Sequence, residues 1–311
     1  MAESQLTTGE QVATIWSMGG LTVRQLARRV YKGIDEDNLL GRASELAYNF
    51  ILALFPLLLF LLAVFGIFAS HGSVLRTNLL NYLSQVLPAA AFQVIAHTLG
   101  EVTRNAGSAK LTFGILLTLW FASGGMTSMI SGLNGAYAVR ESRSWFKVRA
   151  IAVGLTVAIS LLIISALAAV LAGSYVANVV GSQYGLREVT IIAWRVLQIV
   201  VAIAFVTLSF SLIYYFGPDL EEQHWYWITP GSIAGVLLWI AASFGFRAYL
   251  HFFDNYSKTY GSLGAAMILL MWLYITGFAF LIGGEINAQI EHAAARRGHP
   301  EAKAPGEKKA A

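Results

Sequence analysis

Apolar residues in this chain fall in blocks of twenty or more, separated by short polar stretches. The first block is Ser44–Ser70. At 1.5 Å per residue it is long enough to cross about 30 Å of hydrocarbon as a helix. Five more follow at about 111–133, 150–175, 190–216, 228–250 and 263–286. Gly217-Pro218 closes the fourth, and Pro230 sits in the first turn of the fifth, where a missing N–H costs least. The pattern predicts an all-α fold, a polytopic transmembrane bundle of six spans. Residues 1–20 are expected to be a flexible tail, 21–291 a single transmembrane domain, and 292–311 a disordered cytosolic tail. Residues 71–110 mix Pro88, Arg76, Glu101 and Arg104 with amphipathic spacing through Phe92, Ile95, Leu99 and Val102. They predict an interfacial helical excursion.

Ahead of the first span, Leu21–Gly33 reads LTVRQLARRVYKG. Helical spacing puts Arg24, Arg28 and Lys32 in one stripe, with Val23, Leu26, Ala27 and Val30 on the other side. Such a helix can lie in the headgroup region with Arg24, Arg28, Arg29 and Lys32 near anionic lipid. Equally, it can pack on the protein's own cytosolic face.

Composition supports the membrane reading. Only 12% of the 311 residues are charged and 57% are hydrophobic, whereas a soluble domain is about one quarter charged. Cysteine is absent, which excludes disulfides, thiolate metal sites and cysteine nucleophiles. The first apolar block starts too late for a cleaved signal peptide, so that span is expected to be retained. With six spans both termini share a side, and that side holds 14 of the 21 Lys and Arg residues. Both termini are therefore expected in the cytosol. The connection after Phe216 fits least well: it carries Asp219, Glu221 and Glu222 and no Lys or Arg before Trp227.

Orientation then groups polar residues by depth. Glu45 and Asn49 open the first span, Asn134 ends the second, and Glu285 and Asn287 end the sixth. Together they form a candidate cytosolic-side polar site, with Arg42 and Arg140 as candidate partners. A carboxylate within a span costs about 2.5–3.5 kcal/mol at the centre and less near an end, so it should face a partner or a water-filled cavity. The plainer alternative is a polar network that locks helix ends, and this is the favoured reading for Asn134 and Asn287. Pro56 lies three turns after Glu45, removes a hydrogen bond to the Leu52 carbonyl and should kink the span. With Gly124 and Gly125, which could loosen the second span, it is a candidate hinge. Gly124, Ser128, Gly132 and Ala136 repeat at four-residue spacing and Gly231 and Gly235 form a GxxxG pair, faces that let helices approach closely. Opposite the termini, His251–Ala265 offers Asp254, Lys258 and Tyr260 as a candidate outer loop site; the alternative is an aromatic belt with a local ion pair.

Enzymatic signatures are lacking. The six histidines are dispersed with no HExxH, and there is no P-loop and no GxSxG context. No metal, no cofactor and no catalytic residue is expected. The basic helix lacks the interleaved aromatics of a nucleic-acid binder. The expected partners are membrane lipids and a small-molecule or lipid substrate, with the oligomeric state left open.

Three stretches resemble the YihY/BrkB family of bacterial inner-membrane proteins: ASELAYNFILALFPLLLFLLAVFG, YYFGPD (Tyr214–Asp219) and YGSLGAAMILLMWLYITGFAFLIGGEINAQIE (Tyr260–Glu291). The resemblance covers about Leu21 to Glu291. It implies six helices in the bacterial cytoplasmic membrane and places Glu45, Asn49, Pro56, Asp219, Tyr260, Gly261, Gly284, Glu285 and Asn287 at signature positions. The family's older ribonuclease BN label is regarded as a misassignment; its other associations are with virulence, serum resistance and envelope lipid handling.

Overall fold

The structure, a computed structural model, describes residues 16–68, 109–184, 187–221, 228–252, 256–299 and 302–308, with a few isolated positions between 77 and 100. It is all-helical. The helices are α1 (Val23–Glu36), α2 (Leu39–Phe68), α3 (Ala109–Ala136), α4 (Trp145–Tyr184), α5 (Arg187–Phe216), α6 (Pro230–Phe252) and α7 (Tyr256–Arg296). Among the described residues, five helices are long and apolar enough to cross a membrane; the bent α2 makes a sixth if it is one span. Its segments Leu39–Leu54 and Pro56–Val64 meet at 49°, as the hydrogen bond lost at Pro56 requires. By contrast, α3 runs as one helix through Gly124 and Gly125. The expected excursion at 71–110 lies outside the described residues, apart from those isolated positions and the start of α3.

Two units divide the helices. The first comprises Met1–Leu52, Gly124–Leu155 and Thr207–Ala311, and the second Ala53–Ser123 and Thr156–Val206. In the second, small or aromatic side chains such as Ala53, Phe60, Ala63 and Ala122 are buried, while Leu58, Phe113, Leu116, Trp120 and Ile199 are exposed. Apolar side chains turned outward along helices of this length are lipid-facing.

The first unit carries the polar architecture. α1 starts at a reciprocal cap: Gln25 N–H donates to Thr22 Oγ1 at 3.3 Å, and Thr22 N–H to Gln25 Oε1 at 3.0 Å. Its Leu26 and Val30, with Leu21, pack on Ile290 and Ala293 of α7. Each such Leu, Val or Ile contributes about 1.5–3 kcal/mol when fully buried. Arg297 Nη2 donates to the Gly20 carbonyl at 2.6 Å, so the end of the expected flexible tail is seated on α7. The opposite terminus differs too: α7 continues to Arg296, and residues 302–308 return against the α3–α4 connection, with Gly306 N–H reaching the Tyr137 carbonyl at 3.4 Å.

Glycines set the closest helix contacts. A side chain on Gly283 of α7 would strike the Gly231 carbonyl at 2.6 Å, and one on Gly284 would strike Leu133 at 2.5 Å. The Gly231/Gly235 face thus meets Gly283 of α7, while Gly284 turns toward Leu133. Tyr214 wedges beside it, donating its hydroxyl to the Phe280 carbonyl at 2.6 Å. Gly124, in contrast, has open space where a side chain would project.

Candidate functional site

The five residues grouped by depth do not converge on one site. On α2 the buried stripe is Leu39, Ala43, Leu46 and Ala47. Glu45 falls on the opposite side and is exposed, because it lies two residues from both Ala43 and Ala47, and residues two apart on a helix point away from one another. Asn49 donates to the Glu45 backbone carbonyl at 3.0 Å, a bond within its own helix. The other three enter separate networks of the first unit.

Asn134 belongs to a network centred on Asp219. Its Oδ1 accepts the Asp219 N–H at 2.7 Å, and its Nδ2 donates to Glu141 Oε2 at 2.8 Å. Asp219 Oδ2 accepts from the Ser142 amide at 2.8 Å and the Ser142 hydroxyl at 2.7 Å. Arg143 pairs with Asp219 Oδ1 at 3.4 Å and Glu141 Oε2 at 2.7 Å, and donates to the Gly217 carbonyl at 2.8 Å. Lys308, from the C-terminal strap, completes the set by bonding Asp219 and Ser142. Burial alone would raise the Asp219 carboxyl, but the bonds from Lys308 and Ser142 and the Arg143 charge outweigh it and hold it at about 2. This hub ties the end of α3, the start of α4, the end of α5 and the tail together. It also explains the acidic connection after Phe216: the Asp219 charge is neutralised by residues from two other segments. Arg140, the expected partner, is exposed.

Asn287 caps α6. Its Oδ1 accepts the Gly231 N–H at 2.9 Å and its Nδ2 donates to Thr229 Oγ1 at 3.0 Å. Thr229 and Ser232 cap the same turn reciprocally at 3.0 and 3.1 Å. Glu285 is separate again. It is fully buried on α7, beside Gly33 and Asp37 of the α1–α2 corner. Arg42, the other expected partner, donates instead to the carbonyls of Asp37 at 3.0 Å and Ser131 at 3.2 Å.

Of the remaining expected residues, Arg24, Arg28 and Lys32 are exposed on α1 and Arg29 is half-buried. Lys32 pairs with Glu36 at 2.6 Å. The packing of α1 on the protein itself is seen directly. Leu26 and Val30 pack on α7, while Val23 and Tyr31 are 69% and 78% exposed next to the arginines. Val23, Ala27, Tyr31 and Ile34 line an apolar groove of about 320 Å³ with Ile286. Asp254 lies outside the described residues, as do the side chains of Lys258 and Tyr260. No group of three or more metal-ligating side chains occurs among the described residues.

Fold and polar contacts together define a multi-pass α-helical membrane protein. Its family is shown by sequence comparison. The virulence factor BrkB family matches residues 30–307, and the chain belongs to it. A ribonuclease-like protein of Bacillus subtilis, YfkH, is 32% identical over 80% of this chain and 88% of its own length. A UPF0761 membrane protein of Rhodospirillum centenum is 29% identical over 80% of this chain, which spans only 53% of that relative. One from Vibrio atlanticus is 24% identical over 86% of this chain and 82% of its own. No solved structure matches.

Proposed function

We propose that this protein is a non-enzymatic transporter or lipid translocator of the bacterial inner membrane, with both termini in the cytosol. Its substrate would be an envelope lipid or an amphipathic solute. The observation that carries this reading is the broken first span, bent by 49° at Pro56. Bent or discontinuous spans are where transporters build their moving parts, because backbone freed from the helix ladder can change partners there. Flux of labelled phospholipid and of amphipathic solutes into proteoliposomes tests it. Transport above protein-free vesicles that falls on Pro56→Ala is expected; no flux of either class would overturn it.

A second reading rests on a different observation. The exposed apolar edge of α1 borders Arg24 and Arg28, which suits a membrane scaffold that recruits anionic lipid or partners. In that case Pro56→Ala leaves function intact. Replacing Arg24, Arg28 and Lys32 with Gln abolishes it and removes salt-sensitive binding to anionic vesicles.

A further inference from the structure

The Asp219 hub and the Asn287 cap use up their polar groups. Glu285 does not. Its Oε1 accepts the Gln289 amide at 2.8 Å, while Oε2 is buried with no donor. The corner between α1 and α2 closes over it at Gly33. A side chain there would run into Glu285 Oε1 and sit 3.4 Å from Asp37 Oδ2, so Glu285 crowds the glycine and the Asp37 carboxyl lies within van der Waals reach of the same point. The two carboxyl groups are thus neighbours on either side of Gly33, and Oε2 of Glu285 has no donor of its own. Two ionised carboxylates are acceptors only, and a proton on one of them supplies the donor that neither the Gln289 amide nor a cation gives to Oε2.

The surrounding charges do not supply a substitute. Glu36, at the end of α1, has the same sign as the pair. Arg42 of α2 acts on Asp37, but its guanidinium donates to the Asp37 and Ser131 backbone carbonyls. Tyr137, after α3, has a buried phenol pushed well above 10 and stays neutral. Arg29 of α1 acts on His292, about two turns further along α7, and Glu291 pairs with Lys303 at 3.4 Å. Among the described residues no ion pair includes Glu285. Burial and the Glu36 charge push the Asp37 carboxyl above its ordinary range, against Arg42.

We propose that Asp37 and Glu285 form a proton-binding site, one proton shared between the two carboxyl groups and fastening the α1–α2 corner to α7. The ligand is the proton alone. Its loss leaves two negative charges side by side at the seat of α1, where like-charge repulsion loosens the helix. The site stands whether or not the protein translocates a substrate.

Infrared difference spectra of the full-length protein in lipid nanodiscs, titrated from mildly acid to mildly alkaline buffer, test this. A carboxylic-acid C=O band present at neutral pH is expected. It should vanish in Glu285→Gln and shift in frequency in Asp37→Asn. Hydrogen exchange of residues 26–37, corrected for the intrinsic pH effect, should quicken as the wild-type band is lost and stay level in Glu285→Gln. A wild-type spectrum identical to that of Glu285→Gln overturns the site. A band unaffected by Asp37→Asn overturns the sharing. Should Glu285→Gln fail to fold, the Asp37→Asn spectrum and the wild-type exchange profile decide alone.

Discussion

Two buried carboxylates, Asp219 and Glu285, sit in the first unit under opposite conditions. Asp219 is 7% exposed and meets Lys308, Arg143, Ser142 and the Asn134 side chain. Glu285 is 0% exposed and meets an amide, a glycine and another carboxyl group. The first arrangement satisfies the ionised form and fixes a joint. The second favours a proton. A buried acid therefore states its role through its neighbours: cations and donors around it make a lock, a second acid makes a titratable site.

The largest effect should come from breaking the lock. Arg143→Ala leaves Asp219 and the Gly217 carbonyl short of their donor, and removing one partner of a buried ion pair costs about 3–5 kcal/mol. Thermal unfolding in detergent should show this loss.

Acid separates the two sites by sign. The Asp219 carboxyl is depressed in the folded protein, so its stabilising contribution is complete above about pH 4 and vanishes as pH falls towards about 2. The Asp37 carboxyl is raised, so ionising it costs stability as pH rises and mild acid relieves that cost. Unfolding midpoints followed downward from neutral pH should first hold or rise, then fall; in Asp219→Asn the final fall should shrink.

Gly33→Ala tests the close approach of Glu285 to the α1–α2 corner. The added carbon forces the Glu285 carboxyl aside at a cost of about 1–3 kcal/mol. Combined with Glu285→Ala the cost should fall, a non-additivity that a double-mutant cycle reads directly. Smallest is Lys308→Ala. Its side chain is 24% exposed, and partly solvated pairs contribute about 1 kcal/mol or less. The measurable sign is faster hydrogen exchange at Glu221, whose N–H donates to the Lys308 carbonyl at 2.7 Å.

Most of the architecture is legible in the sequence because lipid imposes it. Apolar blocks of spanning length, the proline bend and the GxxxG face all follow from local pattern. The polar contacts are less legible. Depth along the membrane puts Glu45, Asn134 and Glu285 at one level, but depth carries no information about which side of a helix a residue takes. The phase of Leu39, Ala43, Leu46 and Ala47 could have shown that Glu45 turns away. Favouring Asn134 and Asn287 as helix-end locks agrees with the bonds they make. The Asp219 hub was hidden because Lys308 lies 89 residues away, in a tail whose composition reads as disordered. Asp37 escaped notice because it lies in a turn just before the span.

The central claim is that Asp219 works ionised while Glu285 shares a proton with Asp37. The most direct test is the unfolding temperature of Asp219→Asn and Glu285→Gln at neutral pH in one detergent. Asp219→Asn is expected to lower it by roughly 5–10 °C. Glu285→Gln, which keeps the shape and supplies the missing donor, should leave it unchanged or raise it. Equal losses, or a larger loss in Glu285→Gln, would contradict the account.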